Sequence, residues 1–140
     1  MGTLDTLEFA SAVAGLPEQL AEARDRAEVA DISVLEVKSG FDSVVVCGMG
    51  GSGFSGDVVA ATVGSVMRTP LVVAKGYELP AFVGPRTLVF AVSYSGSTEE
   101  TLTAAASAVR SGAPMIAITT GGPLAQLAAE SGAATSLCPA

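Results

Sequence analysis

The chain has 140 residues, about one domain's worth, with 49% apolar residues and a formal net charge of −7. Its seven Lys and Arg are scattered from Arg24 to Arg110, so no basic face is offered to a nucleic-acid backbone. No run approaches the roughly 20 apolar residues of a membrane helix, the acidic start at Asp5 and Glu8 is unlike a signal peptide, and the absence of His removes the commonest acid–base side chain and metal ligand.

Residues 4–30 are expected to be helical, with a break at Leu16-Pro17, because proline suits the first turn of a new helix. Leu20, Ala23, Ala27 and Ala30 then recur on one face, opposite Glu22, Arg24 and Asp25. From there the chain alternates. Apolar runs at 43–47, 71–74, 87–92, 115–119 and 134–137 read as strands, and stretches at 53–66, 98–111 and 123–131 read as helices. Continuous apolar strands alternating with helices predict an α/β fold with a parallel sheet covered on both faces. Gly76, Pro80, Gly84 and Pro85 make the connection between the second and third strands mostly loop. No repeat, low-complexity tract or interdomain linker interrupts this pattern, so residues 1–140 read as one domain.

Two loops carry the chemistry. One is Gly48-Met49-Gly50-Gly51-Ser52-Gly53, and the other is Ser93-Tyr94-Ser95-Gly96-Ser97-Thr98. Each follows a predicted strand and leads into a predicted helix, at the edge where ligands bind in open α/β sheets. Small residues there let the backbone bring its N–H groups close to a ligand, and a helix N-terminus adds partial positive charge. The hydroxyls of the second loop add further donors. Together the loops predict a phosphate site. Ser97-Thr98-Glu99-Glu100 has the spacing of a capping box, with Ser97 as cap and Glu100 reaching back. Leu102, Ala105, Ala106 and Val109 are the expected buried stripe of that helix, and Gly112 its end.

Other readings of these segments are weaker. Gly48-x-Gly50-x-x-Gly53 matches a dinucleotide fingerprint, but the next strand ends Val73-Ala74-Lys75 with no acid to meet a ribose. Tyr94-Ser95-Gly96 lacks the Gly-x-Ser-x-Gly spacing of a hydrolase elbow, and no His is present to act as base. Helix-start electrostatics account for Glu99 and Glu100, and Asp57 is placed in the first turn of its helix. Phe54, Tyr77 and Phe82 read as packing or loop anchors. Cys47 and Cys138 read as buried, reduced thiols in a cytoplasmic protein, and no metal-ligand spacing occurs.

Gly48 to Gly53 after a strand, followed about 40 residues later by Ser-Tyr-Ser-Gly-Ser-Thr-Glu-Glu-Thr from Ser93 to Thr101, resembles the sugar isomerase (SIS) domain. More narrowly it is similar to the bifunctional phosphoglucose/phosphomannose isomerases. The resemblance implies a three-layer α/β/α sandwich with a five-stranded parallel sheet in the order 2-1-3-4-5. It implies that Gly51, Ser52, Ser93, Ser95 and Thr98 contact the phosphate of a phosphosugar, with no cofactor and no metal. The implied reaction interconverts glucose 6-phosphate or mannose 6-phosphate with fructose 6-phosphate, in a cytoplasmic enzyme that pairs as a homodimer through its SIS domains. Family enzymes carry two such domains, and their acid–base Glu, His and Lys lie past the region matched here. The catalytic residues are therefore expected beyond residue 140, with this chain as the first half of a longer enzyme and inactive alone. Two alternatives stand beside this: a non-catalytic phosphosugar-sensing SIS module of a regulator, and a dinucleotide-binding domain.

Overall fold

The computed structural model describes residues 8–28 and 40–138. The chain forms two compact units, Met1–Ala30 and Asp31–Ala140. In the first unit, α1 (Phe9–Ala14) and α2 (Leu16–Glu28) are separated at Gly15, whose N–H bonds to the Ser11 carbonyl at 3.0 Å. Pro17 lies in the first turn of α2, where its missing N–H costs nothing. Residues 4–7, 29 and 30 of the expected helical segment lie outside the described residues.

The second unit contains β1 (Ser43–Cys47), α3 (Gly50–Val63), β2 (Leu71–Ala74), β3 (Thr87–Val92), α4 (Glu99–Arg110), β4 (Met115–Thr119), α5 (Gly122–Ser131) and β5 (Ala134–Leu137). The five strands form one sheet in the order β2-β1-β3-β4-β5, and every pair is parallel. This is the order expected above, and the strand bounds fall where the apolar runs placed them. A β-branched run such as Val44-Val45-Val46 is well suited to a pleat buried on both sides.

The two faces of the sheet are packed differently. Val45, Cys47, Val89, Ala91, Met115 and Ala117 are buried in one cluster with Ala104, Ala105 and Ala108 of α4 and Leu124 and Ala128 of α5. Their pleat partners turn the other way. Val46 and Val73, paired in register, meet α3 at Gly56, where an added Cβ would lie 3.0 and 3.1 Å from their methyl groups. The α3 helix therefore packs on β1 and β2 from one face, where Phe90, Val92 and Ile118 stay half-buried, and α4 and α5 cover the other.

Two helices differ from expectation. The α3 helix begins at Gly50, so most of the first glycine loop is its opening turn, and Asp57 lies well inside it. Glycine is a poor helix former, which hid this start in the sequence. Tertiary contact overrides that cost, because Gly53 and Gly56 are the two buried positions of α3 and let its backbone lie on the strands. In α4 the buried stripe is Thr101, Ala104, Ala105 and Ala108, with Leu102 and Val109 partly buried at its flanks. Small side chains take the closest line against the sheet, and larger ones fill its margins. The connection from β2 to β3 is loop, as expected, with Leu79 and Val83 packed on the core. No helix among the described residues is long and apolar enough to cross a membrane.

Candidate functional site

The two loops leave neighbouring strands at the same level. β1 and β3 pair with Cys47 opposite Ala91, so Gly48 and Val92 come next on each strand. An added Cβ on Gly48 would stand 2.8 Å from the Val92 carbonyl oxygen. Glycine is needed there for the chains to run this close. The parallel register thus brings Gly51 and Ser52 to the same edge as Ser93, Ser95 and Thr98.

The second loop is held from several sides. Gly96 donates its N–H to the Ser93 carbonyl at 3.1 Å, closing a tight turn, and has φ +67°. The Tyr94 carbonyl accepts two hydrogen bonds from Thr120, from its N–H at 3.1 Å and its hydroxyl at 2.7 Å. The Gly96 carbonyl accepts the Leu124 N–H of α5 at 2.9 Å. Thr119 holds the facing turn through its hydroxyl and Gly121. The loop is therefore pinned to the β4–α5 junction.

The hydroxyls are paired with each other. Ser93 is buried, and its Oγ lies 3.0 Å from Thr98 Oγ1. Ser95 Oγ accepts from the Ser97 N–H at 3.3 Å and from the Ser97 hydroxyl at 3.1 Å. The capping box expected at Ser97 and Glu100 does not form: Thr98 takes the N-cap position and makes no side-chain cap hydrogen bond. Ser97 is instead spent on Ser95. The first helical N–H groups of α4 thus have no side-chain acceptor, and α3 likewise starts from Met49 without a side-chain cap. A pair of hydroxyls has two protons and needs only one for its mutual bond. Ser93–Thr98 and Ser95–Ser97 each keep one O–H to give. Two uncapped helix starts and these hydroxyls are suited to an anion.

An open groove of about 440 Å³ lies at this edge on the α3 side of the sheet. Met49, Gly51 and Ser52 of the first loop line it with Val92, Tyr94, Ile118 and Cys138. Ser93, Ser95 and Thr98 are not among its walls. The candidate positions thus divide, with Gly51 and Ser52 in the groove and the other three at the start of α4.

Several groups at this edge escaped sequence reasoning. Tyr94 was visible only as a residue between two serines, yet it is 61% exposed on a pinned backbone. Cys138 reaches the groove because β5 ends beside β4, where the Cys138 N–H meets the Thr119 carbonyl at 2.8 Å. Lys75 closes an ion pair with Asp57 of α3, and its stem lies against Gly53. Glu100 and then Glu99 push the Tyr77 phenol above its ordinary pKa. Phe54, Tyr77 and Phe82, read above as packing or loop anchors, are about half exposed or more. Among the described residues no group of three His, Cys, Asp or Glu is gathered as a metal site.

A parallel α/β sheet with two small-residue turns side by side at its C-terminal edge defines a class of ligand-binding domain. The sequence model of the SIS domain matches residues 40–136, and the chain belongs to that family. It is 43% identical over 120 residues to a bifunctional phosphoglucose/phosphomannose isomerase of Caldicellulosiruptor bescii, which covers 86% of this chain and 35% of that protein. The chain thus spans about a third of the length of that relative. Tagatose-6-phosphate ketose/aldose isomerase of Escherichia coli has the same fold, with a TM-score of 0.60 at 20% identity over 90% of this chain and 35% of that one. So does the sugar isomerase domain of an RpiR transcription factor from Sphaerobacter thermophilus, with a TM-score of 0.63 at 20% identity over 90% and 74%.

Proposed function

We propose that this chain is the phosphate-anchoring SIS domain of an aldose–ketose isomerase that interconverts glucose 6-phosphate or mannose 6-phosphate with fructose 6-phosphate. The observation that carries this reading is the pair of uncapped helix starts, α3 and α4, set side by side with the hydroxyls of Ser52, Ser93, Ser95 and Thr98. Relatives with the name phosphoglucose/phosphomannose isomerase, at 43% identity in the case above, support the choice of reaction. In this proposal Gly51 and Ser52 offer backbone and hydroxyl donors from the first loop, and Ser93, Ser95 and Thr98 offer donors from the second. No nucleic acid, membrane or cofactor enters it.

Residues 1–140 act here as one domain of a longer cytoplasmic enzyme, with the acid–base groups beyond residue 140. Those groups would move a proton between C1 and C2 through an enediol. Anchoring the remote phosphate supplies binding energy that holds the reacting carbons in place. The enzyme is proposed to work as a homodimer.

Titration of the chain with fructose 6-phosphate, followed by NMR at the amides of Ser52, Ser93, Ser95 and Thr98, tests the reading. Shifts gathered at both loops are expected, and shifts confined elsewhere overturn it. The chain by itself is expected to bind without turning over. Isomerase activity of residues 1–140 that vanishes in Glu99→Gln or Glu100→Gln would place the base in this domain instead.

A further inference from the structure

Tyr94 is one of several exposed aromatic residues, and the one that lines the groove at the candidate site. This one is 61% exposed, while its own carbonyl is held by two hydrogen bonds from Thr120. Its neighbour Ser93 is 2% exposed and donates its N–H to Ile118 at 3.0 Å. The ring is therefore presented from a fixed backbone, the condition under which a contact surface loses little entropy when it is used.

What it faces is equally specific. Tyr94 lines the groove of about 440 Å³ that also holds Gly51 and Ser52. A phosphate on the first loop would have the rest of its molecule beside this groove. Val92 and Ile118 supply apolar wall, while Ser52 and Ser55 supply hydroxyl oxygens. Ser55 donates to the Ser52 carbonyl at 2.7 Å, so its oxygen keeps its acceptor capacity for a ligand hydroxyl. Such a lining is mixed in the way a sugar is mixed. A sugar carries hydroxyls at its edge and weakly positive C–H bonds on its faces, and the face of an aromatic ring is electron-rich. An inorganic anion would leave the ring and the apolar wall unused.

We propose that this groove is the seat of the sugar carbons, with the Tyr94 ring as the platform against which the C–H face of a phosphorylated sugar packs. The inference rests on the phosphosugar reading above and deepens it by locating the sugar on the α3 side of the sheet. Tyr94 is a positioning residue in this scheme: it acts on the carbon skeleton, while the loops act on the phosphate.

The test compares two ligands, fructose 6-phosphate and inorganic phosphate, on the full chain and on the variants Tyr94→Ala and Tyr94→Phe, by titration calorimetry. Tyr94→Ala is expected to raise the Kd for fructose 6-phosphate about five- to tenfold and to leave that for phosphate within about twofold. Tyr94→Phe keeps the ring and should leave both within about twofold. Alkylation gives a readout that needs no variant. Cys138 lines the groove and Cys47 is fully buried, so fructose 6-phosphate should slow the reaction of Cys138 with iodoacetamide, phosphate should not, and Cys47 should stay unmodified in both. Equal losses for both ligands in Tyr94→Ala would make the residue a support of the loop and overturn the inference. Unchanged affinity, or an unprotected Cys138 at saturation, would overturn it as well. If the unaltered chain binds phosphate but prefers fructose 6-phosphate no more strongly, the seat is absent and the anion site stands. If it binds neither, the phosphosugar reading itself falls, and the seat with it.

Discussion

Gly96 has the least room of any glycine at the candidate site. Its φ of +67° is a conformation that side chains strain, and an added Cβ would lie 1.9 Å from the Gly121 carbonyl oxygen and 2.8 Å from Thr119 Oγ1. Both neighbours are parts of the same junction, so neither can retreat without breaking the turn. Gly96→Ala is expected to cost about 2 kcal/mol or more and to abolish anion binding at the second loop, as read by chemical denaturation and phosphate titration. Unchanged stability would show that the two turns do not touch in solution. Thr101 presents the opposite case. Its residue is 1% exposed, and its hydroxyl has no hydrogen-bond partner. Burying an unpaired hydroxyl is unfavourable, so Thr101→Val, which keeps the shape, should raise stability by about 1 kcal/mol and leave phosphate affinity unchanged. A loss of binding would instead reveal that the hydroxyl serves the ligand.

The thiol of Cys47 carries a pH signature. Burial in the cluster of α4 and α5 pushes its pKa from 9.0 to about 12. The unfolded chain therefore releases this proton first. The associated stability is complete below pH 9 and is lost progressively as pH rises toward 12. The urea midpoint should fall across that window, and in Cys47→Ala the part of the fall due to this group should disappear. A midpoint equally steep in both would assign the slope to other groups.

At the scale of elements, the glycines of α3 set its distance from the sheet. The methyl groups of Val46 and Val73 stand 3.0 and 3.1 Å from where a Cβ of Gly56 would be. A large side chain there must lift the helix. Gly56→Leu is expected to cost about 2 kcal/mol through overpacking, despite leucine's better helix propensity. Because Gly51 and Ser52 ride on the first turn of the same helix, phosphate affinity should fall with it. A variant that kept full affinity would show the first loop to be independent of helix height. At the opposite edge Asp42 pairs with Arg86, which ties the start of β1 to that of β3. The hydrogen bond from Arg86 holds the Asp42 carboxyl below its ordinary pKa of 3.8. Its contribution is present above that value and is lost as pH falls through the depressed one. Carbon-detected NMR should find the Asp42 midpoint below 3.8, and Arg86→Met should return it there.

For the molecule as a whole, strand order decides which residues meet. Cys47 ends β1 and Cys138 follows β5, with β3 and β4 between those strands. Three spacings of about 4.8 Å are too far for a disulfide, whose Cα atoms lie within about 7 Å. Mass spectrometry of the unfolded, alkylated chain should count two free thiols. A mass two protons short and without alkylation would contradict the order β2-β1-β3-β4-β5.

Much of this was legible in the residues. Unbroken runs such as Ser43–Cys47 and Thr87–Val92 can be satisfied only by burial on both faces, so they marked parallel strands with their bounds. The glycines and hydroxyls after β1 and β3 marked the ligand edge, because backbone approach and helix starts are local properties of such turns. The strand order came from resemblance to the SIS domain, since apolar runs do not say which strands are neighbours. Most of what the residues alone left undecided depends on contacts between distant segments. Glycine propensity argued against a helix at Gly50, and packing of Gly53 and Gly56 on the sheet overrode it. The capping box failed for a local reason: its spacing suited Ser97 and Glu100, but within the same loop Ser95 pairs with the hydroxyl of Ser97 and Ser93 with that of Thr98. The groove itself has walls from the first loop, β3, β4 and the end of β5, brought together only when the sheet forms. That is why Tyr94 and Cys138 could be named in the sequence but given their place only by tertiary structure.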